Sequence, residues 1–464
     1  MKDINIKKLS RNELIENVKI PAASILLIYL LISLYFMNHF FFNTVVNGVD
    51  VSLKAHDGVD DIFINYVKDY RLQLLERDGE TEEIKGQEIG MHYNRKNSIH
   101  KIEKMQSSFK WLSSLVKEQK YYVKDLFAYN KEDLENKISE LNCLNKDIVE
   151  PRNVSFKYAN DHYEAIKEVY GNKLHKGRLY EVIKMSVIKG QIKSDLNKNL
   201  CYIDPKYTLS SDKTLMTKDL LNKYVSAKIT YILRSEKEIL DQSTVNQWLS
   251  VEEDLEVVIN EEAVKHYVQG LSKKYDTAGA ARKIKTSVNK TVEVKGGFYG
   301  WKMNCAAETQ ALIGNIKRGE VLEKEPIYAQ RALSGDENDI GNTYVEINIT
   351  RQYLWFYKDG KLITQGPIVT GNPYKGNATE VGVYMLNYKQ TGSTLRGLNY
   401  EAEVNYWMPY NGNIGIHDAS WRYSFGGNIY KINGTHGCVN VPLYLAKKIY
   451  NNIEGGTPII CYEE

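Results

Sequence analysis

The chain has 464 residues, 43% hydrophobic and 26% charged, with a formal net charge of +3 at pH 7. That length allows about three domains, and the composition excludes a disordered chain, a collagen-like repeat and a polytopic membrane protein. So small a net charge gives no case for nucleic-acid binding, and five cysteines are too few for a disulfide scaffold and odd in number.

The first element is an apolar run. Ile20 to Phe42 contains no Asp, Glu, Lys or Arg. As a helix it would be about 35 Å long, enough to cross a ~30 Å hydrocarbon core with some tilt. Lys2, Lys7, Lys8, Arg11 and Lys19 precede it, and the next basic residue is Lys54. The positive-inside rule then predicts a cytoplasmic tail over 1–19, a single-pass anchor over 20–42 and the rest outside the cell membrane. Phe40, Phe41 and Phe42 are expected at the outer interface. A signal peptide has a shorter apolar stretch and a small-residue cleavage site. No A-x-A follows here, so the anchor is expected to stay uncleaved.

Tyr70 to Glu76, the Arg77-Asp78-Gly79 turn signal and Ile84 to Tyr93 read as a hairpin. Lys101 to Lys120 has helical periodicity through Ile102, Met105, Phe109, Trp111, Leu112 and Leu115. A repeat follows. VYGNKLHKGRLYEVIKMSVIKG ends at Gly190 and FYGWKMNCAAETQALIGNIKRG ends at Gly319. Gly171 to Gly190 and Gly300 to Gly319 are both 19 apart. Equal internal spacing points to duplication, hence two α+β modules over 43–200 and 201–335. Tyrosine is the compositional outlier, at 34 against 11 phenylalanines. Trp248, Tyr267, Tyr275, Tyr299 and Trp301 are candidates for stacking on sugars or lining a peptide groove, or are core aromatics.

The C-terminal block, 340–464, is mainly β. Tyr344 to Ile349 alternates, Gln352 to Tyr357 and Lys361 to Thr370 flank a hairpin turn, and Val381 to Tyr388 is a further strand. One late helix is predicted over Pro442 to Asn452, with Pro442 in its first turn and Gly455 as its stop.

The chemistry-bearing residues sit between these strands and that helix. His417 is followed, after 17 intervening residues, by Thr435-His436-Gly437-Cys438-Val439-Asn440. A cysteine nucleophile needs a partner for its thiolate, donors for the developing oxyanion, and access to substrate. The N–H groups of Gly437 and Cys438 are natural oxyanion donors. The dipole of the late helix is expected to favour a thiolate at Cys438, which should alkylate near neutral pH. His417 or His436 supplies the base, and spacing alone does not choose between them. Three other readings stand beside this one. His417, His436 and Cys438 are a zinc-like set, though without a fourth ligand at matching spacing. Cys438 and Cys461 are close enough in sequence to form a disulfide. Cys438 could also be a plain core residue in a Gly-rich turn.

The segment IHDASWRYSFGGNIYKINGTHGCVN resembles the L,D-transpeptidase catalytic domain, the YkuD-like family. The signature is a His, a spacer, then Ser/Thr-His-Gly-Cys-apolar-Asn, and His417 through Asn440 match every position of it. The resemblance covers about 340–464. NGVDVS from Asn47 and KYDTAG from Lys274, with the repeat, resemble the peptidoglycan-binding modules that precede such domains in Gram-positive bacteria. The resemblance implies a sandwich-like β fold and peptidoglycan stem peptides as donor and acceptor. It implies Cys438 as nucleophile, His417 as general base and acid oriented by the Asp418 carbonyl, and His436 as a supporting residue, with Gly437 in the oxyanion hole. Thr435, Asn440, Arg422 and Tyr410 are the candidate stem contacts. It implies no cofactor, no metal, and acylation by carbapenem-type β-lactams. The expected reaction is 3→3 cross-linking with release of D-Ala from a tetrapeptide stem. The alternative is a peptidoglycan-binding wall protein with L,D-carboxypeptidase or protein-anchoring activity. Cys143, Cys201, Cys305 and Cys461 receive no role.

Overall fold

In the computed structural model the described residues are 11–95, 106–336, 338–397 and 400–464. Lys2, Lys7 and Lys8 of the expected tail, and Ile102 and Met105 of the expected helix, lie outside them. The chain forms two compact units. One takes residues up to 155 together with 166–211, and the other takes 156–165 together with 212–464.

The first unit opens with helix α1 (Arg11–Tyr35). Its segment Val18–Tyr35 is the one helix among the described residues long and apolar enough to cross a membrane. The helix ends before the apolar run does. His39 Nδ1 lies 2.9 Å from the Tyr35 carbonyl and its ring stacks on Tyr35, which occupies a terminal carbonyl that has no helical partner. Phe40 and Phe41 are buried in protein and Phe42 is half-buried, so the three do not form the expected exposed interfacial girdle. The apolar run thus serves two purposes, an exposed helix and a core insertion. The periodicity expected over Lys101 to Lys120 resolves, where described, into a 3-10 helix, Ser108–Leu115.

The hairpin expected around Arg77-Asp78-Gly79 pairs β1 (Arg71–Leu75) with β2 (Thr81–Lys85), an earlier second strand than Ile84 to Tyr93, because Gly86–Ile89 turns into a 3-10 helix. Helix α2 (Lys176–Ile188) returns the chain so that β3 (Lys193–Asp195) joins β1 in parallel. Leu72, Leu74, Ile84, Leu179 and Ile183 form the centre of this core. The second unit repeats the plan. β4 (Lys228–Leu233) pairs with β5 (Glu236–Leu240), helices α3 (Glu261–Tyr275) and α4 (Cys305–Arg318) follow, and β6 (Val321–Lys324) joins β4 in parallel. Gly190 and Gly319, the matched glycines of the repeat, both leave the helix in left-handed backbone conformation, φ +62° and +67°. The candidate stacking aromatics of this half are interior. Trp248, Tyr275 and Tyr299 are buried, Trp248 meets the half-buried Tyr267 ring, and Trp301 gives its indole N–H to the Ser334 carbonyl.

The remainder of the second unit is two sheets and a helix. One sheet has the order β9-β8-β7-β15-β10, from β7 (Tyr344–Asn348), β8 (Tyr353–Lys358), β9 (Lys361–Pro367), β10 (Gly382–Met385) and β15 (Pro458–Tyr462). The other has the order β11-β12-β13-β14, from β11 (Gln390–Gly397), β12 (Tyr400–Asn411), β13 (Ile414–Asp418) and β14 (Val439–Val441). Helix α5 (Leu443–Tyr450) follows β14, with Pro442 as its N-cap residue. Ile347, Leu354, Phe356, Met408, Ile416, Val441 and Ile449 close one core between the sheets and α5. β13 and β14 run parallel, with His417 opposite Asn440. That pairing brings the two halves of the sequence motif side by side.

Candidate active site

Cys438 sits at the mouth of β14, and its backbone is fixed from both flanks. Thr435 N–H donates to the Thr370 carbonyl at 3.0 Å, and Asn440 exchanges N–H···O bonds of 2.9 Å with Val369. Within the turn, Gly437 N–H donates to Thr435 Oγ1 at 3.0 Å and that hydroxyl donates to the Cys438 carbonyl at 2.6 Å. Thr379 Oγ1 donates to the Gly437 carbonyl at 2.7 Å. Gly437 holds φ +119°, and a Cβ there would stand 2.9 Å from Ile414 Cδ1, so only glycine fits without strain.

Paired residues of neighbouring strands point to the same face, and alternate residues along a strand share it. The register therefore puts Asn440 and His417 on one face of the sheet, and Cys438, just before β14, opens into the same cleft. All three line a cleft of about 510 Å³, together with His436, Thr435, Arg422, Trp421, Leu395, Glu401 and Glu403. His417 is buried, and its Nδ1 lies 2.8 Å from the Asp418 carbonyl. A carbonyl only accepts, so Nδ1 carries the proton and Nε2 keeps its lone pair. Asp418 is itself anchored. Its buried carboxylate accepts from Tyr406 N–H and Asn405 Nδ2, both at 2.8 Å. Trp407 and Trp421 stand beside the imidazole, with ring centres 5.8 and 6.1 Å away.

The thiol is held between two backbone groups. Cys438 Sγ lies 3.7 Å from the Asn413 carbonyl, and the Gly415 N–H donates to it. Burial pushes the thiol above its ordinary pKa, partly offset by that N–H. Burial likewise lowers His417, partly offset by the Asp418 carbonyl. Both shifts run against a standing thiolate–imidazolium pair. The easy thiolate expected near neutral pH is not what this environment favours. Nor does the late helix supply it. Val439–Val441 and Pro442 separate Cys438 from α5, and a helix dipole fades beyond the first turn.

Four further readings need correction. Gly437 N–H is engaged by Thr435, so of the expected oxyanion pair only the Cys438 N–H is clear of that hydroxyl. Tyr410 does not line the cleft, although its hydroxyl is near enough to Cys438 to feel its charge. It is fully buried against Tyr384, with its hydroxyl 3.8 Å from Cys461 Sγ, because β12 directs it into the core. Thr435 lines the cleft, but its hydroxyl is committed to the turn. The Cys438–Cys461 disulfide does not form, and all five cysteines are free. Arg422 does line the cleft, held by an Nη1 bond of 2.7 Å to the Asn433 carbonyl. Asn440 is buried, and its Oδ1 has no hydrogen-bond partner among the described residues. Glu401, Glu403, Thr379, Asn413 and Gly415 were not singled out from sequence. They reach the site through strand pairing and turns that no local pattern announces. Trp421 lies inside the quoted motif and was legible as part of it.

A family model described as "L,D-transpeptidase catalytic domain" matches residues 342–461, and one described as "Putative peptidoglycan binding domain" matches 82–195 and 207–323. Among solved structures, a Cys→Ser mutant of Enterococcus faecium L,D-transpeptidase is 33% identical, covers 54% of this chain and 100% of its own, and gives a TM-score of 0.45. The avibactam carbamoyl enzyme of Ldtfm is 34% identical over 54% of this chain and 98% of its own, with a TM-score of 0.45. The E. faecium catalytic domain acylated by ertapenem is 38% identical over 26% of this chain and 98% of its own, with a TM-score of 0.25. No curated protein matches the chain. The β-rich C-terminal domain is that of an acyl-transferring transpeptidase. The chain, one-third identical over the whole of the solved E. faecium chain, belongs to the L,D-transpeptidase family, with peptidoglycan-binding domains ahead of its catalytic domain.

Proposed function

We propose that the protein is a membrane-anchored peptidoglycan L,D-transpeptidase that forms 3→3 cross-links through a thioester on Cys438. The observation that carries this reading is the pairing of Cys438 and His417 in one cleft, with the His417 Nδ1 proton on the Asp418 carbonyl. In the first half-reaction the Cys438 thiol proton passes to His417 Nε2 as sulfur bonds to the position-3 carbonyl carbon of a tetrapeptide stem. The Cys438 N–H faces the developing oxyanion. The carbon–nitrogen bond then breaks, His417 returns the proton to the departing amine, and D-Ala leaves. In the second half-reaction the side-chain amine of position 3 on another stem attacks the thioester. Its proton goes to His417 and on to the released sulfur. Splitting one transfer into two steps is the logic of covalent catalysis.

His436, Asn440, Arg422 and Thr435 surround the reacting pair, with His436 as support and the others as stem-facing groups. With water as acceptor the same site would act as an L,D-carboxypeptidase. β-Lactams should acylate Cys438, as ertapenem and avibactam modify the related enzymes. Helix α1 would hold the catalytic domain outside the cell, at the wall. The deciding experiment incubates the full-length protein in detergent with tetrapeptide muropeptides. Wild type should yield 3→3 dimers and free D-Ala, and Cys438→Ala should yield neither. His417→Ala should lose more activity than His436→Ala. Identical products from wild type and Cys438→Ala would end the proposal.

A further inference from the structure

Helix α1 does not stand apart from the fold that follows it. Most of its apolar side chains are exposed, among them Ile20, Ile25, Leu26, Ile28, Leu31 and Leu34. One stripe is covered. Tyr29, Ile32, Ser33 and Phe36 follow helical spacing and cluster with Trp111 of the 3-10 helix Ser108–Leu115. The Trp111 indole N–H donates to Ser33 Oγ at 3.2 Å, and Tyr29 OH donates to the Phe109 carbonyl at 2.5 Å. The Tyr29 and Phe36 rings lie 5.8 and 6.0 Å from Trp111. On its other side the segment is tied back to the folded unit, since Asn43 Nδ2 donates to the Ser114 carbonyl at 2.8 Å.

The outward side of this short helix is apolar as well. Phe109, Leu112 and Leu115 are more than half exposed and Val116 is 92% exposed. Lys110 and Lys117 flank them. An apolar crevice of about 510 Å³ opens between the two helices, lined by Ala22, Ile25, Leu26, Ile28, Trp111 and Leu112 among others.

We infer that Ser108–Leu115 is a second membrane-contacting element, immersed in the outer leaflet beside α1. This rests on the reading of α1 as a bilayer anchor. Length decides the point. Val18–Tyr35 is 18 residues, about 27 Å as a helix and barely enough for a ~30 Å hydrocarbon core. Trp111 packs at the level of Tyr29 to Phe36. If its segment stayed in water, only Val18 to Ile28 would remain immersed, about 16 Å, which is too short to span. The segment therefore enters the lipid with the helix. Phe109, Leu112, Leu115 and Val116 meet acyl chains, and the crevice receives one. Lys110 and Lys117 reach up to the head groups.

The test is depth-dependent quenching in the full-length protein, reconstituted in phosphatidylcholine vesicles that contain nitroxide-labelled lipid. An environment-sensitive fluorophore is placed by Leu112→Cys, Val116→Cys, Ile28→Cys or Glu135→Cys, in a background carrying Cys305→Ser and Cys438→Ser. Leu112 and Val116 are exposed, so labelling them leaves the fold intact. The expected result is quenching at 112 and 116 within about twofold of that at 28, and none at 135. Quenching at 28 but not at 112 or 116 overturns the inference and leaves the anchor standing. In that case the apolar side faces something else, such as a second copy of the chain. Absence of quenching at 28 removes the anchor reading itself, and this inference with it.

Discussion

At the scale of the residue, the site turns on where one proton rests. A preformed thiolate–imidazolium pair needs an imidazole that holds its proton more tightly than the thiol does. Burial moves both groups the other way, lowering His417 and raising Cys438. The Asn413 carbonyl beside Sγ adds an acceptor that suits S–H and not S⁻. In the proposed mechanism His417 would therefore act as a base during attack and would not ionise the thiol beforehand. Alkylation of Cys438 by iodoacetamide, followed on its own peptide by mass spectrometry, should rise about tenfold per pH unit between pH 6 and 8. It should level only above the ordinary thiol value of about 8.5. Acylation by substrate depends on neutral imidazole instead, so its acid limb should fall below the ordinary histidine value of about 6.5. A plateau in alkylation below pH 7 would show a standing ion pair and refute this account.

At the scale of the element, the site depends on a turn that only glycine can make. Gly437→Ala puts a methyl group 2.9 Å from Ile414 Cδ1 and holds a non-glycine residue at φ +119°. Strain of that kind costs about 1–3 kcal/mol, and it falls on the residue next to Cys438. Thermal unfolding should shift down by several degrees, and acyl-enzyme formation should drop at least tenfold. Adding Ile414→Ala relieves the contact but not the dihedral, so recovery should be partial. Unchanged acylation by Gly437→Ala would show that the turn is not what places the thiol. The motif itself was plain in the sequence because its residues are contiguous and chemically unusual. Its supports were not. Thr379 reaches the Gly437 carbonyl across 58 positions of sequence, and no local period marks such a contact. Strand β7 shows the same limit. Its alternation was legible, yet its polar residues are buried as well, because Glu346 accepts from Ser287 N–H, Ser287 Oγ and Tyr462 OH. Tyr410 failed for a like reason. A tyrosine near the motif suggests a ligand contact, and only the packing of β12 reveals that it points inward.

At the scale of the whole molecule, the duplication seen as matched glycines does not give the way the chain divides. Residues 156–165, deep within the first half, belong to the second compact unit. They form the turn and facing strands of a hairpin, Ser155–Ala159 with His162–Ile166. Tyr163 makes the attachment. It is buried in a cluster with Leu221 and Val225, its N–H donates to Asn222 Oδ1 and its hydroxyl to Asn246 Oδ1, each at 2.6 Å. The hairpin has a counterpart at the matching place in the second copy, Arg282–Lys285 with Thr291–Val294, and similarity between copies does not say what each hairpin packs against. The two kinds of contact made by Tyr163 separate by substitution. Tyr163→Phe forfeits one hydrogen bond and should cost about 1 kcal/mol. Tyr163→Ala also empties the cluster and should cost about 3 kcal/mol or more. Native-state hydrogen exchange locates the loss. Amides of Asp212–Val225, the helix that carries Leu221, Asn222 and Val225, should lose protection by about a hundredfold in Tyr163→Ala and by less than tenfold in Tyr163→Phe. Wild-type protection there in Tyr163→Ala would mean that the hairpin lies on this unit without stabilising it.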